Sequence, residues 1–253
     1  MKEEKDIKVK SLQKALEILN CFIDRQPLGV TEISEQLGLY KSNVHNILTT
    51  FKSMGYLEQD TETGRYRLGT AIFSLSRALR ENMTISKIVL PYMQQIVKDI
   101  NETVYLSIPK DDELIYLEAV YPVGQFYSGG APVTGERAKL YCTGMGKAIL
   151  AQMPDVEIER ILKGKLEAYT KYTITDKKEL WKEIEAARKN GYAVDNMELI
   201  LGVKCVGVAI MNPKGKAECG ISVSAPSLRM EPERIEEIAK VLKRYAYDIE
   251  KMM

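Results

Sequence analysis

TEISEQLGLYKSNVHNILTTFKSMGYLEQDTETGRYRLG, residues 31 to 69, places two short apolar-periodic segments around one glycine and then two strand-like runs around a polar, glycine-tipped turn. Thr31 to Leu37 reads as a short helix with Thr31 as its hydroxyl N-cap and Ile33 and Leu37 facing a core, and Gly38 supplies the tight turn. From Lys41 to Met54, the residues Val44, Ile47, Leu48 and Phe51 fall at i, i+3, i+4 and i+7, so one face packs inward and the other stays polar. Tyr56-Leu-Glu58 and Arg65-Tyr-Arg-Leu68 flank the turn from Asp60 to Gly64 and read as a hairpin. Upstream, Leu12, Ala15, Leu16, Leu19, Phe22 and Ile23 recur at helical spacing, which predicts a helix from Ser11, as N-cap, to Asp24, ended by Pro27 and Gly29. The order helix, helix, turn, helix, hairpin is that of a winged helix-turn-helix, whose second motif helix enters the major groove of duplex DNA.

The polar face of the Lys41 helix supplies the candidate contacts. Ser42, Asn43 and Asn46 sit at or near its start, where side chains reach base edges, and an asparagine can bond both N6 and N7 of adenine. His45, Thr49 and Lys52 suit phosphates, Thr31 and Lys41 are further candidate DNA contacts, and Arg65 and Arg67 on the hairpin suit phosphates or a narrow minor groove. Charge totals do not help: the net charge is +1, and residues 1 to 70 hold ten Lys/Arg against ten Asp/Glu. The placement carries the argument, with Lys8 and Lys10 ahead of the first helix and the acids Glu17, Glu32 and Glu35 expected away from the contact face.

The rest of the chain reads as a helix over Ala71 to Glu81, broken at Asn82, and a second from about Thr84 to Ile100. Strands follow at Thr103 to Pro109 and Leu114 to Val120, and Val203 to Met211 pairs with Glu218 to Ser224 across Asn212-Pro-Lys-Gly215. Helices are predicted at Gly144 to Gln152, Asp155 to Leu162, Asp176 to Asn190 and Glu231 to Met252. The class is α+β, with residues 1–70 as the DNA-binding domain, 71–83 as a linker helix and 84–253 as a larger sensor-like domain.

Composition excludes several alternatives. Apolar residues at 45% and charged residues at 28% suit a folded core, and no apolar run reaches the roughly 20 residues of a membrane span. Met1 to Lys10 alternates acids and bases and lacks a signal-peptide core, so the expected compartment is the cytoplasm. Cys21, Cys142, Cys205 and Cys219 show no C-x-x-C pair and read as free thiols; no metal or cofactor is expected. Cys142, beside a helix start, is the one candidate nucleophile of a rival enzyme reading, but the single histidine, His45, lies in the reading head, which leaves the larger domain without a Cys-His pair. Thr143-Gly-Met-Gly-Lys147 misses the phosphate-loop pattern, with Tyr141 where its first glycine belongs and Ala148 where Ser or Thr belongs. Glu157, Glu159, Glu236 and Glu237 read as surface charge, and the chain is expected not to be an enzyme.

Four ordered blocks, Leu140-Tyr-Cys-Thr-Gly-Met-Gly-Lys-Ala-Ile-Leu-Ala151, Gly191-Tyr-Ala-Val-Asp-Asn-Met-Glu198, Gly202-Val-Lys-Cys205 and Ile221-Ser-Val-Ser224, resemble the signature blocks of IclR-type bacterial transcription regulators, and the resemblance runs from about Val9 to the C-terminus. It implies a GAF-like effector domain behind the winged helix, a homodimer or homotetramer on a palindromic operator, and DNA binding, expected to be repressive, that a small organic acid modulates. By the same resemblance Gly144, Met145, Asp195, Cys205, Ser222 and Ser224 match effector-contacting positions, and Phe126, Gly129, Ala138 and Val203 form an apolar wall. These types suit an acid: hydroxyls two apart on a strand share a face, and a helix start offers N–H groups to a carboxylate. Lys139, Tyr141 and Met145 depart from the Pro, His and small residue that members often carry; Pro226-Ser-Leu-Arg229 is similar to members that sense sugar acids and Tyr141-Cys-Thr with Met145 to those that respond to aromatic acids, so the effector's class stays open between the two. The remaining alternative is a regulator whose larger domain only oligomerises.

Overall fold

The computed structural model describes residues 7–124 and 134–253. The chain divides into two compact units, Met1–Met83 and Thr84–Met253.

The first unit contains α1 (Lys10–Asp24), α2 (Val30–Leu37), α3 (Lys41–Ser53), β1 (Leu57–Gln59), β2 (Tyr66–Leu68) and α4 (Ala71–Glu81). Ile18, Phe22, Leu28, Ile33, Val44, Leu48, Leu57 and Tyr66 meet in one buried cluster, which fixes the three helices against the hairpin. Gly38 adopts φ 64°, and its N–H closes onto the Ser34 carbonyl; this left-handed step turns α2 into α3, and a side chain there would be strained.

Three local expectations change. α1 begins at Lys10 with Val9 in the cap position, so Ser11 caps nothing. α2 begins at Val30, with Gly29 as its cap residue and the Glu32 carboxylate accepting the Gly29 N–H at 2.8 Å, which puts Thr31 inside the first turn rather than at its cap. The buried stripe of α1 is Ile18, Cys21 and Phe22, whereas Leu12, Leu16 and Ile23 are 57%, 49% and 72% exposed. Helical spacing alone admitted either stripe, because α1 is apolar over more than one face.

The second unit is built on a six-stranded antiparallel sheet in the order β5-β4-β3-β8-β7-β6. Its strands are β3 (Thr103–Lys110), β4 (Glu113–Val120), β5 (Arg137–Lys139), β6 (Ala193–Asn196), β7 (Val203–Met211) and β8 (Ala217–Pro226); its helices are α5 (Thr84–Ile100), α6 (Gly144–Leu150), α7 (Asp155–Ile161), α8 (Lys177–Asn190) and α9 (Pro232–Glu250). The short edge strands β5 and β6 were not foreseen, since three or four residues show no period. Leu106, Val208 and Ile221 lie in register on one face, which α5 and α9 cover. Tyr105, Gly207 and Ser222 lie in register on the other, where α6 rests on the central strands and α8 packs behind it. With both faces covered, β8 is buried at eight of its ten positions and loses the alternation of a half-exposed strand.

α6 lies so close because two strand positions lack side chains. A Cβ at Gly207 would come 2.3 Å from the Met145 nitrogen, and one at Gly220 would come 2.5 Å from the Met145 Cγ. Among the described residues, no helix is long and apolar enough to cross a membrane.

Candidate functional site

On α3, Val44 and Leu48 are buried, while Lys41, Ser42, Asn43, His45, Asn46, Thr49 and Lys52 are all exposed, so the structure gathers these seven candidates outside the helix's packed face. The cap residue is Tyr40, whose carbonyl accepts the N–H groups of Asn43 and Val44; Ser42 is therefore not spent on capping. Tyr40 itself is 81% exposed directly ahead of the polar face, a position that periodicity did not mark. Lys52 is tied to the hairpin through a 2.9 Å bond to Gln59 Oε1.

The hairpin arginines differ. The Asp60 carboxylate accepts the N–H groups of Glu62 and Thr63 and so shapes the turn, and Gly64 follows at φ 68°. Arg67 pairs with Glu58 directly across the hairpin at 3.0 Å, and its side chain is 66% exposed. Arg65 pairs with Glu32 of α2, and Glu32 also receives Arg25 and the Gly29 N–H. Led by the Gly29 bond, these partners hold the Glu32 carboxyl below its ordinary range. Glu32 therefore does not lie away from the basic hairpin, as its position in the chain suggested; it fastens Arg65, and with it the wing, to α2.

In the second unit, strand register brings together four of the ten predicted effector residues, Asp195, Cys205, Ser222 and Ser224. Asp195 pairs with Cys205, Cys205 with Ser224, and Ser224 with Thr103, which makes one row across β6, β7, β8 and β3. Directly opposed residues share a face, so the four side chains line up on the side that carries α6. Ser224 Oγ donates to Cys205 Sγ at 2.9 Å, and Asp195 stands directly opposite Cys205 on β6. The next row on the same face holds Ser222 between Tyr105 and Gly207. Gly144 sits against the row's far end, where an added Cβ would lie 3.0 Å from the Cys205 carbonyl oxygen and 3.2 Å from the Asp195 nitrogen.

The remaining candidates are spread out. Met145 sends its thioether along the sheet to accept the Ser107 hydroxyl at 3.2 Å, two rows from Cys205. Val203 continues β7 on the face of Cys205 and is half-buried. Ala138 lies on β5 opposite Leu114, at the far edge of the sheet from Asp195. Phe126 and Gly129 lie outside the described residues. The first turn of α6 is already occupied: Thr143 Oγ1 accepts the Gly146 N–H at 3.0 Å, and the Gly144–Met145 backbone is pressed against Gly207.

Charges near the row were not legible beforehand. Lys147, 1% exposed, holds Glu198, 2% exposed, at 2.6 Å and reaches Glu183 at 3.3 Å. Asp195 Oδ1 accepts the Glu198 N–H at 2.6 Å. Burial, with the Glu198 charge as a smaller contribution, pushes the Asp195 carboxyl up to about 7 against the hydrogen bonds and Lys147 that lower it. Burial also raises the Cys205 thiol well above its ordinary value and raises the Tyr116 phenol, on which Cys205 and Asp195 both act. Among the described residues, Thr103 Oγ1, wholly buried, has no hydrogen-bond partner. Such an orphan costs about 1–3 kcal/mol in a fold and calls for an explanation. Cys142 is buried and pushed up to about 12, chiefly by burial, which is opposite to the shift an activated nucleophile needs.

Comparison with known proteins agrees with both halves. A model of the IclR helix-turn-helix domain matches residues 11–61, and one of the bacterial transcriptional regulator IclR C-terminal domain matches residues 77–251. The chain is similar to the transcriptional regulator KdgR of Escherichia coli (30% identity, 97% of this chain, 93% of the relative) and to the transcriptional repressor IclR of the same organism (27%, 95% and 89%). The Thermotoga maritima IclR crystal structure superposes with a TM-score of 0.75 at 31% identity, covering 96% of this chain and 98% of that one. An IclR homologue from Microbacterium hydrocarbonoxydans complexed with 4-hydroxybenzoate shares the fold, with a TM-score of 0.80 at 22% identity over 95% and 98% of the two chains. A reading head assembled on α3 and a matched domain on each side of residue 70 lead to one family: this chain belongs to the IclR-type bacterial transcriptional regulators.

Proposed function

We propose that this DNA-binding regulator grips a palindromic operator through α3 and the wing, as a homodimer or homotetramer, and represses until a small organic acid seats on the row Asp195–Cys205–Ser224–Thr103 and weakens that grip. The observation that carries the effector reading is Thr103: a buried hydroxyl with no partner among the described residues, lined up with three polar side chains. A ligand oxygen there would supply the missing bond. The 4-hydroxybenzoate held by a homologue of the same fold, and the repressor among the relatives, support an acid effector and a repressive sense. Leu12, Leu16 and Ile23 of α1 and Phe73, Leu75 and Leu79 of α4, exposed apolar residues within one unit, support self-association.

The deciding experiment selects operator fragments from random duplexes with the purified chain and repeats the retention with a panel of hydroxy, keto and aromatic acids. Retention that one acid reverses supports the reading. Retention untouched by every acid, with no acid raising the melting temperature, assigns the larger domain to oligomerisation alone.

A further inference from the structure

The Asp195 row carries no cation of its own. Among the described residues, Lys147 of α6 is the positive group acting on Asp195, and its ammonium is already held by Glu198 and Glu183. The other groups around Asp195 are the Glu198 carboxylate on its own hairpin, the Cys205 thiol of β7, the Cys142 thiol ahead of α6 and the Tyr116 phenol of β4. The two thiols and the phenol are held neutral by burial. With Asp195 ionised, an incoming carboxylate meets two buried carboxylates against one shared lysine, in surroundings where water screens charge poorly. With Asp195 protonated, the row is neutral throughout, a carboxylic acid, a thiol and two hydroxyls, of which the Ser224 hydroxyl already donates to Cys205 Sγ and the Thr103 hydroxyl has its proton to give.

Resting on the reading of this row as the effector site, we propose that the row takes a monocarboxylate rather than a dicarboxylate, and that each molecule binds together with one proton, which solvent supplies to Asp195. Asp195 Oδ1 is committed to the Glu198 N–H, which leaves Oδ2 as the oxygen to take the proton. The burial that lifts Asp195 toward neutrality makes that proton easy to recruit near pH 7 and costly above it. Affinity is therefore level on the acid side and falls about tenfold per pH unit on the alkaline side. The regulator would then read the acid and the pH together.

The test begins with acetate, lactate, glycerate, 4-hydroxybenzoate and succinate in a thermal-shift screen of the full chain. The tightest binder goes to titration calorimetry at about pH 6, in phosphate and in MES, and at about pH 8, in HEPES and in Tris, each pair differing in ionisation heat and so reporting protons taken up. Expected are uptake of close to one proton per acid at about pH 8 and close to none at about pH 6, and no advantage for succinate. Asp195→Asn, which keeps the acceptor for Glu198 and a permanent donor, should give the same affinity at both pH values. The calorimetric arm uses the unaltered protein, so it decides even where the variant folds poorly. Binding with equal affinity and no uptake at both pH values overturns the proton linkage and leaves the effector reading standing. Binding by none of the acids overturns both.

Discussion

On the proposed reading of the Asp195 row, a single hydroxyl trades stability for binding. Thr103 Oγ1 has lost water and found no partner, so replacing it with an isosteric methyl removes a cost rather than a bond. Thr103→Val is expected to raise unfolding stability by about 1 kcal/mol in urea titrations while weakening acid binding several-fold. A loss of stability would mean that the hydroxyl is satisfied in solution. The two wing arginines separate in the same way. Arg67 holds an exposed pair worth about 0–1 kcal/mol, which a phosphate can readily displace. Arg67→Ala should lower the slope of log affinity against log salt by about one with little change in stability. Arg65→Ala should instead loosen the wing from α2 and lower the melting temperature, because Glu32 then keeps only Arg25 and Gly29. Equal salt slopes for both variants would show that the ion pairs do not sort the two roles.

At the scale of elements, α3 and α6 are placed by opposite devices. α3 needs only its 3.6-residue period: Val44 and Leu48 go inward, and Asn43 and Asn46 are left outward. Asn46→Ala should cost operator affinity on the order of 1–3 kcal/mol while leaving binding to random duplex unchanged, which competition by mobility shift resolves. α6 is placed by absence, since Gly207 and Gly220 let its first turns rest on bare strand. Gly207→Ala forces a Cβ to within 2.3 Å of the Met145 nitrogen, a collision of backbone with side chain that no rotamer relieves. It should destabilise the second unit by about 3 kcal/mol or more and abolish acid binding, seen as an earlier transition in denaturant. α3 was legible from its period. The seating of α6 was not, because a glycine within a strand announces a close approach without naming what approaches.

For the molecule as a whole, Asp195 inverts the usual acid response. Its carboxyl lies higher in the fold than the ordinary 3.8, so between those values the folded state binds the extra proton. The sign follows: this group's contribution is present at acid pH and is lost as pH rises toward about 7. The second unit should therefore be less stable at about pH 8 than at about pH 5.5, and Asp195→Asn should flatten that difference in urea titrations. The amino-acid sequence by itself determined the winged helix, its outward polar face, the limits of α4 and the resemblance that names the family, because each rests on local periodicity or on blocks at fixed spacing. Only tertiary structure decided that Glu32 holds Arg65, that Ile18 rather than Leu12 enters the core, and that Thr103 joins Asp195, Cys205 and Ser224 in one row. Those are matters of pairing between distant segments, and cross-strand register is set by the whole sheet rather than by the residues that meet across it.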